Sequence, residues 1–203
     1  MTLWVSRPAL LCAWILLFLV AAGLGGNAAI SKSDADRLQN KLARIADNAR
    51  AGHPAALRTS VSEIELNSYL TYALASDLPE GISEPYVTIE GGGRLSGRAV
   101  VDLGRISSER SSGNRLDPLS YFSGKAPITA VGALHTKQGT ARFDLESATV
   151  AGVSVPSLLL QAVVSHYTRT PENPDGVKLN DSFTLPAGIK EIEVGKGQTI
   201  VVQ

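Results

Sequence analysis

Four glycines at positions 91, 92, 93 and 97 are the first residues in this chain whose spacing suggests ligand chemistry. Closely spaced glycines let a backbone approach a phosphate, but a dinucleotide fingerprint also needs a glycine where Ser96 stands and a helix directly afterwards. Alternating residues that predict a strand follow instead, so the cluster reads as a hairpin turn. His53, His135 and His166 lie far apart, and no pair has the helical spacing of metal ligands. No Gly-x-Ser-x-Gly elbow is present, and the nearest fragment, Gly152-Val153-Ser154-Val155-Pro156, ends in proline. No Ser or Thr stands three residues before a lysine. Asp144 and Glu146 share a strand face that reads as solvated, with nothing nearby to drive their pKa values apart. The expectation is a protein that is not an enzyme and carries no metal or cofactor. Asn67, Tyr69 and Tyr72 stand out on a predicted helix. Asn67 is expected to hydrogen-bond a neighbouring loop backbone and the tyrosines to cap a pocket mouth, unless all three simply pack the helix on a sheet.

The elements that must position these residues follow from periodicity. A helix is predicted from Ser33 or Asp34, with Leu38, Leu42, Ile45 and Ala49 on one stripe and Gly52 and Pro54 as stops. A short strand over residues 57–61 precedes a second helix. Two overlapping capping boxes announce that helix, Ser60 with Glu63 and Ser62 with Glu65. Ile64, Leu66, Leu70, Ala73 and Leu74 form its apolar face, and the segment from Leu78 to Gly81 closes it. Val87 and Ile89, a glycine turn, then Ala99, Val101 and Leu103 predict a hairpin with one apolar face. Residues 104–124 read as a long loop with a turn of helix near 116–122. A second hairpin turns at Lys137-Gln138-Gly139, with Phe143 and Leu145 inward and Arg142, Asp144 and Glu146 outward. A third helix over Ser157–Tyr167 is apolar nearly all round. A Pro-containing loop over 170–175 follows, and a hairpin turning at Gly195-Lys196-Gly197 ends the sequence. Successive hairpins with separate helices mean α+β: a curved antiparallel sheet, the apolar helix on its concave face, and N-terminal helices beside it.

The first 29 residues read as a signal peptide or membrane anchor. Arg7 precedes an apolar run over 9–24, and small residues follow, with Gly26 and Ala28 placed for cleavage after Ala28. Cys12, the only cysteine, and both tryptophans, Trp4 and Trp14, fall in this segment. The division is therefore residues 1–29 for targeting, 30–54 for an amphipathic helix, and 55–203 for a single α+β domain without disulfides. The expected location is extracytoplasmic, with membrane attachment through the N-terminal segment where it is not cleaved. Acidic and basic residues number 19 each, and residues 30–203 keep 18 positive against 19 negative charges. That balance gives no electrostatic footprint for nucleic acid and no polybasic patch for anionic lipid.

Four fragments together resemble a known family. They are Ser62-Glu63-Ile64-Glu65-Leu66-Asn67-Ser68-Tyr69-Leu70 after a short strand, Gly97-Arg98-Ala99-Val100-Val101-Asp102-Leu103 ending a strand pair, Gly152-Val153-Ser154-Val155-Pro156 before Leu158-Leu159-Leu160, and Phe183-Thr184-Leu185-Pro186-Ala187-Gly188-Ile189 before the last hairpin. Across residues 55–203 the chain resembles signal-anchored bacterial envelope domains of the YpmS type and the mycobacterial mannan-elongation lipoprotein family. The resemblance implies an envelope protein that holds phospholipid in an apolar groove. It carries over no catalytic residue, and residues 9–11 before Cys12 depart from a lipoprotein box.

Export, the missing catalytic constellation and the apolar third helix point to a non-enzymatic module for a lipid or other apolar ligand. The residues expected to line its site are Leu70, Leu74, Val101, Phe143, Leu145, Leu159 and Val163. The same helix read as an ordinary buried element gives the alternative, a solid-core structural or protein-interaction domain. Close packing beside the concave face would favour that alternative; a cavity there would favour the first.

Overall fold

Alternation and capping place most elements where the sequence puts them. A computed structural model describes residues 29–78, 80–102, 124–167, 174–176 and 178–203. Residues 1–28, read above as part of a targeting segment, residues 103–123 and residues 168–173 lie outside the described residues, as do the side chains of Leu159, Val163 and His166.

In chain order the elements are α1 (Lys32–Arg50), β1 (Arg58–Ser62), α2 (Glu63–Tyr72), β2 (Ile82–Gly91), β3 (Arg94–Asp102), β4 (Lys125–Lys137), β5 (Thr140–Val150), β6 (Val153–Ser154), α3 (Ser157–Tyr167), β7 (Phe183–Thr184), β8 (Glu191–Gly195) and β9 (Gln198–Val202). The fold is α+β. A large antiparallel sheet runs β2-β3-β4-β5-β6, with β7 also paired to β5, and a small one runs β1-β9-β8. The terminal hairpin thus pairs with β1 in its own sheet rather than extending the large one.

Ser31 caps α1, its hydroxyl accepting from the Asp34 N–H at 3.2 Å, so the helix starts a residue or two earlier than the periodicity predicts. Leu38 and Ile45 are buried and Leu42 is partly buried in the core, as their spacing requires. The capping-box ambiguity resolves to Ser62 with Glu65, because Ser60 is paired with Ile200 in β1. α2 ends at Tyr72, well short of the proline at 79 that was expected to close it. The two-residue turns between β2 and β3 and between β4 and β5 place Gly92, Gly93, Gln138 and Gly139 at positive φ. That geometry suits the right-handed twist of the flanking strands.

A β-bulge interrupts β5. Leu145 faces Gly132 and Ser147 faces Val131, which leaves Glu146 as the extra residue. Ala141, Phe143 and Leu145 therefore share the inner face with Ala148 and Val150 beyond the bulge. On that face α1, α2 and the small sheet close over Val87, Ile89, Leu95, Leu134 and Ala141 in one buried cluster. Among the described residues α3 contributes no side chain to this cluster. It meets the large sheet at β5, and its start is tied there through β6 and the Val155 N–H, which donates to the Ala148 carbonyl at 2.9 Å.

Candidate functional site

The inner face of the large sheet divides into two regions. Near the β2–β3 turn, large side chains interlock with α2. Toward the other end of the strands the register lines up Ala99 with Ile128 and Val150, Val101 with Ala126, and Gly97 with Ala130 and Ala148. Ala99, Val101, Ala126, Ala130 and Ala148 are buried, yet none belongs to the core cluster. This second region, an alanine-rich floor that also holds Val101, Ile128 and Val150, lies beside the β6–α3 connection.

The seven residues expected to line a ligand site separate accordingly. Leu70 and Leu74 are buried in the core cluster, and Phe143 packs against it. Val101 belongs to the alanine-rich floor, and Leu145 is half-buried between the two regions. Val101, Phe143 and Leu145 do share one sheet face, as the alternation predicts. The side chains of Leu159 and Val163 lie outside the described residues. Ala99 was read on the apolar strand face, but Ala126, Ala130 and Ala148 escaped the sequence reading because Ala carries little hydrophobic signal of its own; the period-2 pattern continued through them was the clue available.

An open groove of about 770 Å³ lies elsewhere, between the end of the β4–β5 hairpin and β8. Its lining includes the buried Leu134, Ala141 and Ile192 and the charged Lys137, Arg142, Glu191 and Glu193. None of the seven residues lines it. Of the lining residues, Thr136 ties β4 to β8, its hydroxyl donating to the Ile192 carbonyl at 3.1 Å and accepting from the Ile192 N–H at 2.9 Å. Arg142 bonds Asp144 at 2.7 Å and Glu193 bonds Arg58 at 2.6 Å, so part of the lining charge is already compensated within the protein.

The polar residues of α2 act on structure. Asn67, only 1% exposed, accepts from the Val87 N–H at 2.6 Å and donates to the Val87 carbonyl at 2.7 Å. The Glu63 carboxylate accepts from the Ile89 N–H at 2.7 Å and from the Tyr86 hydroxyl at 3.3 Å. The Gly197 N–H donates to the Ile89 carbonyl at 2.8 Å. β2 is the edge of the large sheet, and these groups satisfy the backbone that a neighbouring strand would otherwise take. Asn67 therefore bonds a strand rather than the expected loop. Tyr69 is partly buried against the core and Tyr72 is exposed.

Burial favours the neutral form of Glu65, but hydrogen bonds from Lys41 and Ser62 and the Lys41 charge outweigh it and hold its pKa below the usual carboxylate value. Burial, then the charge of Asp77, raises Tyr69. Burial, then the charge and hydrogen bond of Glu63, raises Tyr86 against the opposing Arg98. None of these groups stands as an acid beside a matched base in a cleft. Among the described residues no three His, Cys, Asp or Glu side chains gather to hold a metal, and no helix is long and apolar enough to cross a membrane.

Searches with this sequence and fold against protein-family models, curated proteins and solved structures give no significant match.

Proposed function

We propose that this protein is a non-enzymatic module that works outside the cytoplasm and holds a lipid or other apolar ligand on the alanine-rich half of its sheet. The observation that carries this reading is the division of the inner face. Large side chains fill one half, while Ala99, Ala126, Ala130 and Ala148 pave the other, outside the core cluster. The alanines are buried without a place in the core cluster, and an apolar guest between them and the elements that cover them would have the apolar lining usual for small-molecule sites. The ligand contacts expected from this reading are Val101 and Leu145 with the floor alanines, rather than Leu70 and Leu74, which the core occupies. The export segment over 1–29 supports the location.

A second reading, a solid-core structural or protein-interaction domain, is favoured by the packing of Leu70, Leu74 and Phe143 into the continuous core. Mass spectrometry of an organic extract of the purified protein separates the two. A stoichiometric lipid supports the ligand reading. An empty extract, with no binding of a fluorescent fatty acid or phospholipid, gives the case to the second.

A further inference from the structure

We propose that the corner where β6 leads into α3 is a lipid-contacting surface, the part of the domain that touches a bilayer. Val153 is 62% exposed and Leu158 is 78% exposed, the two most exposed large apolar side chains among the described residues. They stand five positions apart in sequence, in a stretch from Ala151 to Leu158 in which every residue but Val155 is exposed. The Ala151-Gly152 turn, with both residues at positive φ, joins β5 to β6 in this stretch. From Ser147 to Thr168 the sequence has no Asp, Glu, Lys or Arg, although the whole chain carries 19 acidic and 19 basic residues.

The absence of charge matters as much as the apolar exposure. A charged side chain entering the interface must shed water at high cost, whereas the side chains of Val153 and Leu158 gain by leaving water. A basic patch would point to anionic headgroups, and the stretch from Ser147 to Thr168 contributes no Lys or Arg to one. The occupant is therefore the apolar boundary of a bilayer, not its headgroup charge. The apolar run over residues 9–24 gives the chain a segment suited to the same environment, so a retained segment would keep the domain beside a membrane. The inference deepens the ligand reading, and rests on it, in making this corner the end at which an apolar guest passes between the bilayer and the alanine floor.

Full-length protein in phosphatidylcholine vesicles tests it. In a Cys12→Ser background, Val153→Cys, Leu158→Cys and, as a control on α2, Tyr72→Cys each carry an environment-sensitive fluorophore. Labels at 153 and 158 are expected to shift to the blue and be quenched by nitroxide lipid, in low and high salt alike, while the label at 72 stays wet. Equal behaviour at all three sites overturns the proposal, because tethering alone would then explain it. Blue shifts at 153 and 158 that need no vesicles and grow with protein concentration also overturn it, in favour of self-association. A stoichiometric lipid in the extract together with a wet label at 158 keeps the ligand site and removes the corner.

Discussion

At the scale of single residues, buried hydrogen-bonding groups are the sensitive points. Asn67 stands in for a missing strand, so Asn67→Ala leaves the N–H and the carbonyl of Val87 without their side-chain partner. The expected loss is about 2–4 kcal/mol, on the cost of leaving buried groups unpaired, read from urea unfolding midpoints. Ser96 is the opposite case. Its hydroxyl is the buried side-chain polar atom without a hydrogen-bond partner among the described residues. Ser96→Ala is therefore expected to be neutral or to stabilise by about 1 kcal/mol, and a large loss would show that the hydroxyl has a partner. Glu65 sets a pH dependence. Its folded pKa lies below the unfolded value, so the stability it contributes is present above the unfolded carboxylate range, about pH 4.3, and is lost as pH falls through the folded value. Glu65→Gln should flatten the acid limb of a stability-versus-pH curve. An acid limb unchanged by the substitution would refute that assignment. The capping role of Glu65 was legible in the sequence. Its pairing with Lys41 at 2.7 Å was not, because the contact spans 24 positions and requires α1 to lie on α2.

At the scale of elements, periodicity carried most of the information. The stripe through Leu38, Leu42 and Ile45, the inward placing of Phe143 and Leu145, and the bounds of the third helix all follow from spacing. The bulge at Glu146 moves the inward positions from Ala141, Phe143 and Leu145 to Ala148 and Val150, but only the pairing with Val131 and Gly132 shows which residue is the extra one. Spacing does not give β6 and β7, which are two-residue strands fixed only by their pairing with β5. The bulge explains why equal inward placement does not mean equal importance. Phe143 packs against the core and lies over Gly132, where an added Cβ would also stand 2.6 Å from the Asp144 carbonyl oxygen. Phe143→Ala is expected to cost about 3 kcal/mol or more, and Leu145→Ala, half-buried beside the bulge, about 1–2 kcal/mol. Asp144→Ala should stay within about 1 kcal/mol, since its pairs with Arg142 and His135 are largely exposed. Denaturant melts of the three variants check the order, and Leu145 exceeding Phe143 would show that the boundary of the core is misplaced.

At the scale of the whole molecule, the question is what the second half of the inner face is for. The sequence made the α+β class legible, but it also suggested one apolar site running from α2 across the sheet to the third helix. The fold separates those parts, because α1, which the sequence set apart as residues 30–54, packs on α2 and drives Leu70 and Leu74 into the core. Under the proposed ligand reading the alanine floor is the site, and Ala148→Phe tests it from the protein side. If the space above Ala130 and Ala148 holds an apolar guest, the phenyl ring occupies the guest's place. Bound lipid in the extract should then fall severalfold, while the unfolding midpoint of lipid-free protein moves little. If that space is already filled by the protein's own side chains, the ring overpacks it. Stability then falls by about 1–3 kcal/mol with no ligand to lose. Leu134→Ala serves as the reference, since Leu134 belongs to the core cluster and should cost about 2–5 kcal/mol under either reading. An Ala148→Phe variant that unfolds as readily as Leu134→Ala and never carried lipid would give the protein to the solid-core interaction reading.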